Sequence, residues 1–142
     1  MFIDFKEGAK MEQLMKICNV KIWLIITALA HAIVGTIIPT DWNNDTATMV
    51  GGFMLLTSFT MLYVAFFTEG QAQARLAAVI AGPVFVWFIV SIAMGLEWQI
   101  GDSEITKMTI ADTIPPLIIW GMTALSGIMH GNFKDMISDN SE

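Results

Sequence analysis

Four long runs of apolar residues dominate the chain, and the charged residues lie almost entirely between them. The runs cover residues 20–38, 47–68, 74–96 and 111–129. A helix of about 20 residues crosses the hydrocarbon core of a bilayer, whereas a helix of a small soluble domain needs a polar face. The pattern therefore predicts an all-α integral membrane protein, an antiparallel bundle of four transmembrane helices.

The segments outside these runs are short and polar. Residues 1–19 place apolar side chains at three- and four-residue steps with lysines between them, which indicates a short amphipathic helix at the cytoplasmic surface or, equally, a frayed tail. Residues 20–133 form the predicted bundle, and residues 134–142 form a polar tail. Pro83 is expected to kink the third helix, and Pro115 and Pro116 are expected in the opening turn of the fourth.

The basic residues predict the orientation in the membrane. Six of the seven lie before or at the start of the first run, at the start of the third run, or after the fourth. The positive-inside rule then places both termini and the 69–75 connection in the cytoplasm. The acidic connections 40–46 and 97–110 face outward. They lack the spacing of a calcium-binding EF-hand and carry no His or Cys for zinc, so we interpret them as solvated surfaces without a metal.

Composition narrows the classes of function. The 142 residues are 55% hydrophobic and 14% charged, with a mean hydropathy of +0.63, which is typical of a membrane protein. The net charge of −6 argues against nucleic acid as a partner, because nucleic acid requires a basic face. Cys18 is the single cysteine, so the chain cannot form an internal disulfide. The predicted partner of the four helices is the lipid bilayer.

His31, near the middle of the first run, is the strongest candidate for a functional side chain. An ionisable residue at this depth costs free energy and commonly marks a proton path or a ligand site. Thr27, Ser58, Trp87 and Trp120 are its predicted neighbours along such a path. The alternative is a neutral imidazole that is hydrogen-bonded to a Ser or Thr of a neighbouring helix.

Motifs for catalysis are missing from the sequence. There is no G-x-S-x-G, H-E-x-x-H, Walker A or C-x-x-C pattern, so we assign no catalytic residue, and the question of a cofactor stays open. His130 lies at the inner end of the fourth run, and His31 lies roughly 16 Å deeper at helical rise. The two side chains are therefore not level, as the axial ligands of a haem must be.

Small residues recur at four-residue steps in several of the runs. Small side chains allow helices to approach closely in a membrane. The expected packing positions are Gly35, Ala78, Gly82, Gly127 and Gly131. These positions exceed what one bundle needs, so they favour contacts with other membrane subunits or with copies of this chain.

One segment resembles a known family. Gly35 is followed by Pro39 in an outer connection, and the second run opens near Gly51 and Gly52. In these features the run IVGTIIPTDWNNDTATMVGGFMLLTSFTMLYVAFF resembles the first hairpin of the DoxX-like family, over about a quarter of the chain. The resemblance implies a small four-helix membrane protein, in some members tied to quinone-linked respiratory enzymes.

Three functions stay open, in the order in which the sequence favours them. The first is a non-catalytic subunit or accessory of a membrane assembly, including an assembly of identical chains. The second is a small proton-linked transporter or channel that uses His31, with Thr27 and Ser58 beside it. The third is a lipid- or quinone-binding protein, with His31, Trp87 and Trp120 around an apolar pocket. An enzyme is expected less than a non-catalytic protein.

Overall fold

The computed structural model describes residues 15–98, 106–107 and 110–133. Four long helices make up most of this part: α1 (Val20–Ala32), α2 (Asp45–Phe67), α3 (Gly70–Met94) and α4 (Ile110–His130). A π-helical segment, Ile33–Ile37, continues α1. Two short strands, β1 (Glu97–Trp98) and β2 (Thr106–Lys107), pair antiparallel between α3 and α4. Most of the predicted amphipathic segment and all of the predicted polar tail lie outside the described residues.

Three helices are long and apolar enough to cross a membrane, as expected of an integral membrane protein: Val20–Ile37, Asp45–Phe67 and Gly70–Met94. The all-α class is confirmed, together with helices over three of the predicted runs. The fourth helix, α4, has 21 residues but is not among the three. Asp112, the two prolines and several hydroxyl side chains dilute its apolar residues. The count of four spans stays a prediction.

Asparagine side chains set the start of two helices. Asn19 Oδ1 accepts the Ile22 N–H at 3.1 Å before α1, and Asn44 Oδ1 accepts the Ala47 N–H at 3.0 Å before α2. Such caps satisfy amides that have no partner within the helix. At the other end of α3, Gly95 takes a left-handed conformation with φ 60°, which glycine adopts without a steric cost.

The third helix begins earlier than the sequence predicts. We expected a cytoplasmic connection over residues 69–75, but α3 starts at Gly70 and leaves only Thr68 and Glu69 between α2 and α3. The polar residues that suggested a loop lie in the first turns of α3, where their side chains form hydrogen bonds. Gln73 Nε2, for example, donates to the Val64 and Ala65 carbonyl oxygens, both at 3.1 Å, and to the Thr68 oxygen at 2.7 Å.

The two adjacent prolines also lie differently from the prediction. Pro115 and Pro116 are inside α4, because that helix already begins at Ile110. A proline inside a helix removes one backbone hydrogen bond, so these two weaken the second turn of α4. Pro83 likewise lies inside α3, which continues through it.

The helices pack as two hairpins that are joined through α1. The contact between α3 and α4 is the most extensive, followed by that between α1 and α2, and α1 also packs on α4. By comparison, α2 and α3 contact each other little, and α2 and α4 make almost no contact. The core side chains include Leu24, Ala28, Met61, Ala77, Ala81, Trp120 and Ala124.

A close approach between α3 and α4 depends on Gly127. A methyl group on Gly127 would lie 2.5 Å from the Ala78 backbone nitrogen and 2.6 Å from the Ala74 carbonyl oxygen. Both distances are shorter than any normal contact, so only glycine allows this approach. Gly127 and Ala78, two of the predicted packing positions, therefore meet within one chain.

Candidate functional site

Buried hydroxyl groups connect α1 to α4. The Thr27 and Thr123 hydroxyl oxygens lie 2.6 Å apart, and Thr27 also donates to the Ile119 carbonyl oxygen at 3.1 Å. Thr27 and Thr123 are fully buried. A hydroxyl in an apolar interior must find a partner, and here each threonine supplies the partner of the other. These groups fasten two helices.

His31 lies where α1 faces both α2 and α4. Its Nδ1 is 2.9 Å from the Ser58 hydroxyl oxygen on α2. Its ring meets the buried Trp120 ring of α4 edge to face, with ring centroids 5.3 Å apart and an interplanar angle of 82°. Edge-to-face packing is a favoured arrangement for aromatic rings. Both contacts hold the imidazole in one orientation.

The other nitrogen of the His31 ring is open. Nε2 has no hydrogen-bond partner among the residues that the structure describes, yet it is not enclosed by protein. The His31 side chain as a whole is only partly buried. One edge of the imidazole is therefore anchored and the other is available to a further group.

The backbone beside His31 departs from the α-helix. The π-helical segment Ile33–Ile37 begins two residues after His31, and the Thr36 hydroxyl donates to the His31 carbonyl oxygen at 2.8 Å. The Thr40 hydroxyl repeats the pattern on the Thr36 carbonyl oxygen at 2.6 Å. Single π-helical turns inside α-helices occur often at functional sites. The π-helical segment and the side-chain contacts therefore both indicate His31 as the candidate site.

The structure does not bring the five predicted site residues together in one place. His31, Ser58 and Trp120 form one cluster, while Thr27 bonds to α4. Trp87 belongs to neither, because its side chain is 61% exposed on the outer surface of α3. The predicted pocket of His31, Trp87 and Trp120 is therefore not formed by this chain as described.

The remaining small-residue positions differ in their surroundings. A methyl group at Gly35 would have the His31 Cδ2 atom as its nearest neighbour at 3.6 Å, and one at Gly82 would meet nothing within 4 Å. Gly131 follows the end of α4, and its carbonyl oxygen accepts a hydrogen bond from Arg75 Nε at 2.7 Å. Only Gly127 among the predicted glycines packs against the backbone of another helix.

An open cavity with both polar and apolar walls lies at the end of the molecule where α1 and α3 begin and α4 ends. Its volume is about 360 Å³, and its walls include Asn19, Lys21, Gln73 and His130. His130 Nε2 is the one buried side-chain nitrogen or oxygen without a partner in the described part of the chain. His31 lies eleven residues further along α1 than Val20, which lines the same cavity, so the two histidines occupy different levels.

Several contacts of this site are not visible in the sequence. Thr123 belongs to a stripe of small residues, and nothing local indicates that it faces Thr27. Arg75 caps the end of α4 through the Gly131 and Asn132 carbonyl oxygens, although it lies more than fifty residues away along the chain. Such partners become apparent only when the helices are placed.

Metal-ligating side chains do not cluster in the part of the chain that the structure describes. Within residues 15–98, 106–107 and 110–133, no three His, Cys, Asp or Glu side chains gather as a metal ion would require.

Searches against protein-family models, curated proteins and solved structures gave no match. The resemblance of residues 33–67 to the DoxX-like family therefore stays a prediction.

Proposed function

We propose that this chain is a four-span membrane protein with cytoplasmic termini, and that it works as a non-catalytic component of a membrane assembly formed with copies of itself. Two features of the described residues support this proposal. Several polar side chains inside the helices fasten one helix to another. The outer surface of α3 keeps a notch that this chain does not fill.

The first feature concerns the hydroxyl and imidazole groups of the apolar helices. Thr27 and Thr123 bond to each other, and Ser58 bonds to His31. Interhelical hydrogen bonds of this kind contribute roughly 0.6 kcal/mol each in a membrane. Groups that are paired in this way stabilise the arrangement of the helices, which is the work of a structural component.

The second feature, which carries the proposal, is the open surface around Gly82. The exposed side chains of Val79 and Val86 flank this glycine on the same face of α3, at 63% and 56% exposure. Nothing lies within 4 Å of the position that a Cβ at Gly82 would take. A small residue between bulky neighbours lets a second helix approach closely, and close packing drives helix association in lipid.

The test is disulfide trapping between chains in lipid nanodiscs or native membranes. Cys18 is changed to serine, and Val79→Cys and Val86→Cys are introduced separately; Phe59→Cys on α2, which is 64% exposed, is the matched control. We expect dimers that are linked through the α3 positions and few that are linked through Phe59→Cys. Gly82→Leu should abolish the α3 dimers because it fills the notch.

Native mass spectrometry from mild detergent gives an independent measurement. A defined number of identical chains supports the proposal. A complex with a different protein would keep the assembly role but would reject self-association. Monomers in both detergent and nanodiscs, with equal trapping at the α3 and α2 positions, would overturn the proposal.

A further inference from the structure

His31 presents a hydrogen-bonding group that the interior of the protein does not use. Ser58 holds Nδ1 at 2.9 Å, whereas Nε2 is accessible and has no partner in the described residues. A ring nitrogen in an apolar surrounding loses free energy unless a partner is supplied. No water in a bilayer core can supply it, so the partner must be another molecule or another chain.

The glycine that follows this histidine does not cover the ring edge. Gly35 lies one turn further along, in the π-helical segment, and a methyl group there would have the imidazole Cδ2 atom, which is bonded to Nε2, as its nearest neighbour at 3.6 Å. Because Gly35 has no side chain, it leaves the Cδ2–Nε2 edge free of contact from this position. The two helices that hold the ring, α2 and α4, make almost no contact with each other.

The groups around the imidazole are suited to an apolar ligand. Trp120 lies against the imidazole with ring centroids 5.3 Å apart, and the apolar segment Ile33–Ile37 follows His31 along the chain. Neither Ser58 nor Trp120 carries a charge, and burying a charge at this depth without a partner is costly. The chemistry of the site therefore favours an uncharged ligand.

We propose that His31 Nε2 is the hydrogen-bonding centre of a site for an uncharged lipophilic molecule that carries a carbonyl or hydroxyl group. The Ser58 hydroxyl can donate to Nδ1 or accept from it. When Ser58 donates, Nε2 carries the proton and binds a carbonyl oxygen. When Ser58 accepts, Nε2 is the acceptor and binds a hydroxyl group. The pair accommodates both kinds of head group by moving one proton on the ring.

This site does not depend on the assembly that is proposed above, since its residues lie on α1, α2 and α4 rather than on the outer surface of α3. Trapping at α3 and ligand binding at His31 can each fail while the other succeeds. The open cavity near His130 is also separate, because it lies at the end of the molecule.

The experiment uses three aromatic compounds of nearly equal size, and the full chain in nanodiscs. Benzophenone carries a carbonyl group and, when illuminated, reacts with nearby C–H bonds. Benzhydrol carries a hydroxyl group in the same place, and diphenylmethane carries neither. Benzophenone labels the protein, the labelled peptides are identified by mass spectrometry, and the other two compounds compete with it.

We expect labelling to concentrate on the segments around His31, Ser58 and Trp120. Benzhydrol should compete about three- to tenfold better than diphenylmethane, since one net hydrogen bond corresponds to that range of affinity. His31→Leu should remove this preference. Gly35→Leu should reduce labelling by covering the imidazole edge, while it leaves the bond between His31 and Ser58 in place.

Gly52→Leu is the matched control for Gly35→Leu, because nothing lies within 4 Å of its Cβ position and it is exposed on α2. Circular dichroism and size-exclusion profiles select the variants that remain folded. The proposal is overturned if labelling is spread evenly over the lipid-facing surface, if His31→Leu and Gly35→Leu label as the wild type does, or if diphenylmethane competes as well as benzhydrol.

Discussion

The substitution Gly127→Ala tests the packing of α3 on α4 most directly. The added methyl group would lie 2.5 Å from the Ala78 nitrogen and 2.6 Å from the Ala74 carbonyl oxygen, both of them backbone atoms. Ordinary contacts begin at 3.4 Å, so the two helices must separate by nearly 1 Å along this line. Such overpacking typically costs about 1–3 kcal/mol.

Gly52→Ala provides a control with the same chemistry. The methyl group at Gly52, which is exposed on α2, meets nothing within 4 Å. Both substitutions replace glycine by alanine inside a helix, which by itself favours the helix by about 1 kcal/mol. The difference in stability between the two variants cancels this gain and leaves the cost of the contact, about 1–3 kcal/mol against Gly127→Ala.

The assay is reversible unfolding in mixed micelles of dodecyl maltoside and increasing sodium dodecyl sulfate, followed by far-ultraviolet circular dichroism. We expect Gly52→Ala to unfold at the wild-type fraction of denaturing detergent or slightly above it, and Gly127→Ala clearly below it. If the two variants have free energies of unfolding within about 0.5 kcal/mol of each other, Gly127 does not touch α3 and the described packing of the two helices is wrong.

Three further predictions follow from contacts at the helix ends and in the interior. In a double-mutant cycle, Thr27→Val and Thr123→Val should show a coupling energy of about 0.6–1.5 kcal/mol, measured by the same unfolding assay; independent effects would contradict their mutual hydrogen bond. Gln73→Leu should destabilise the chain by about 1–3 kcal/mol because the end of α2 loses its donor, whereas Gln71→Leu, at an exposed position, should cost less. Cys18, which is 0% exposed, should react with a maleimide slowly in the folded protein and rapidly after unfolding; equal rates would show that it is accessible.

The long apolar runs predict the helices well because crossing a bilayer requires a length of helix that no other feature of a small chain imitates. The direction in which each side chain points is harder to predict. The third run is apolar almost all the way round, so no polar stripe marks its inner face, and the structure leaves Trp87 exposed on α3 rather than beside His31. His31 and Thr27 do share a face, but they bond to different neighbours, which the four-residue step cannot distinguish.

Polar residues near the helix ends show a second limit of sequence reasoning. Gln73 and Arg75 suggested a loop because polar residues commonly separate spans. In the structure they lie in the first turns of α3 and bind the ends of α2 and α4. The π-helical segment after His31 had no local sequence signal either, because one extra residue in a turn is stabilised by surrounding contacts rather than by composition.

The two-residue connection between α2 and α3 bears on how the protein enters the membrane. With only Thr68 and Glu69 between the helices, and with Gln73 bound to the end of α2, the end of α2 and the start of α3 are held together, although the two helices contact each other little along the rest of their length. Neither helix can reverse its direction without the other. Charges placed near either helix during synthesis therefore decide the orientation of both, and a topology that is mapped for one of the two helices fixes the topology of the other.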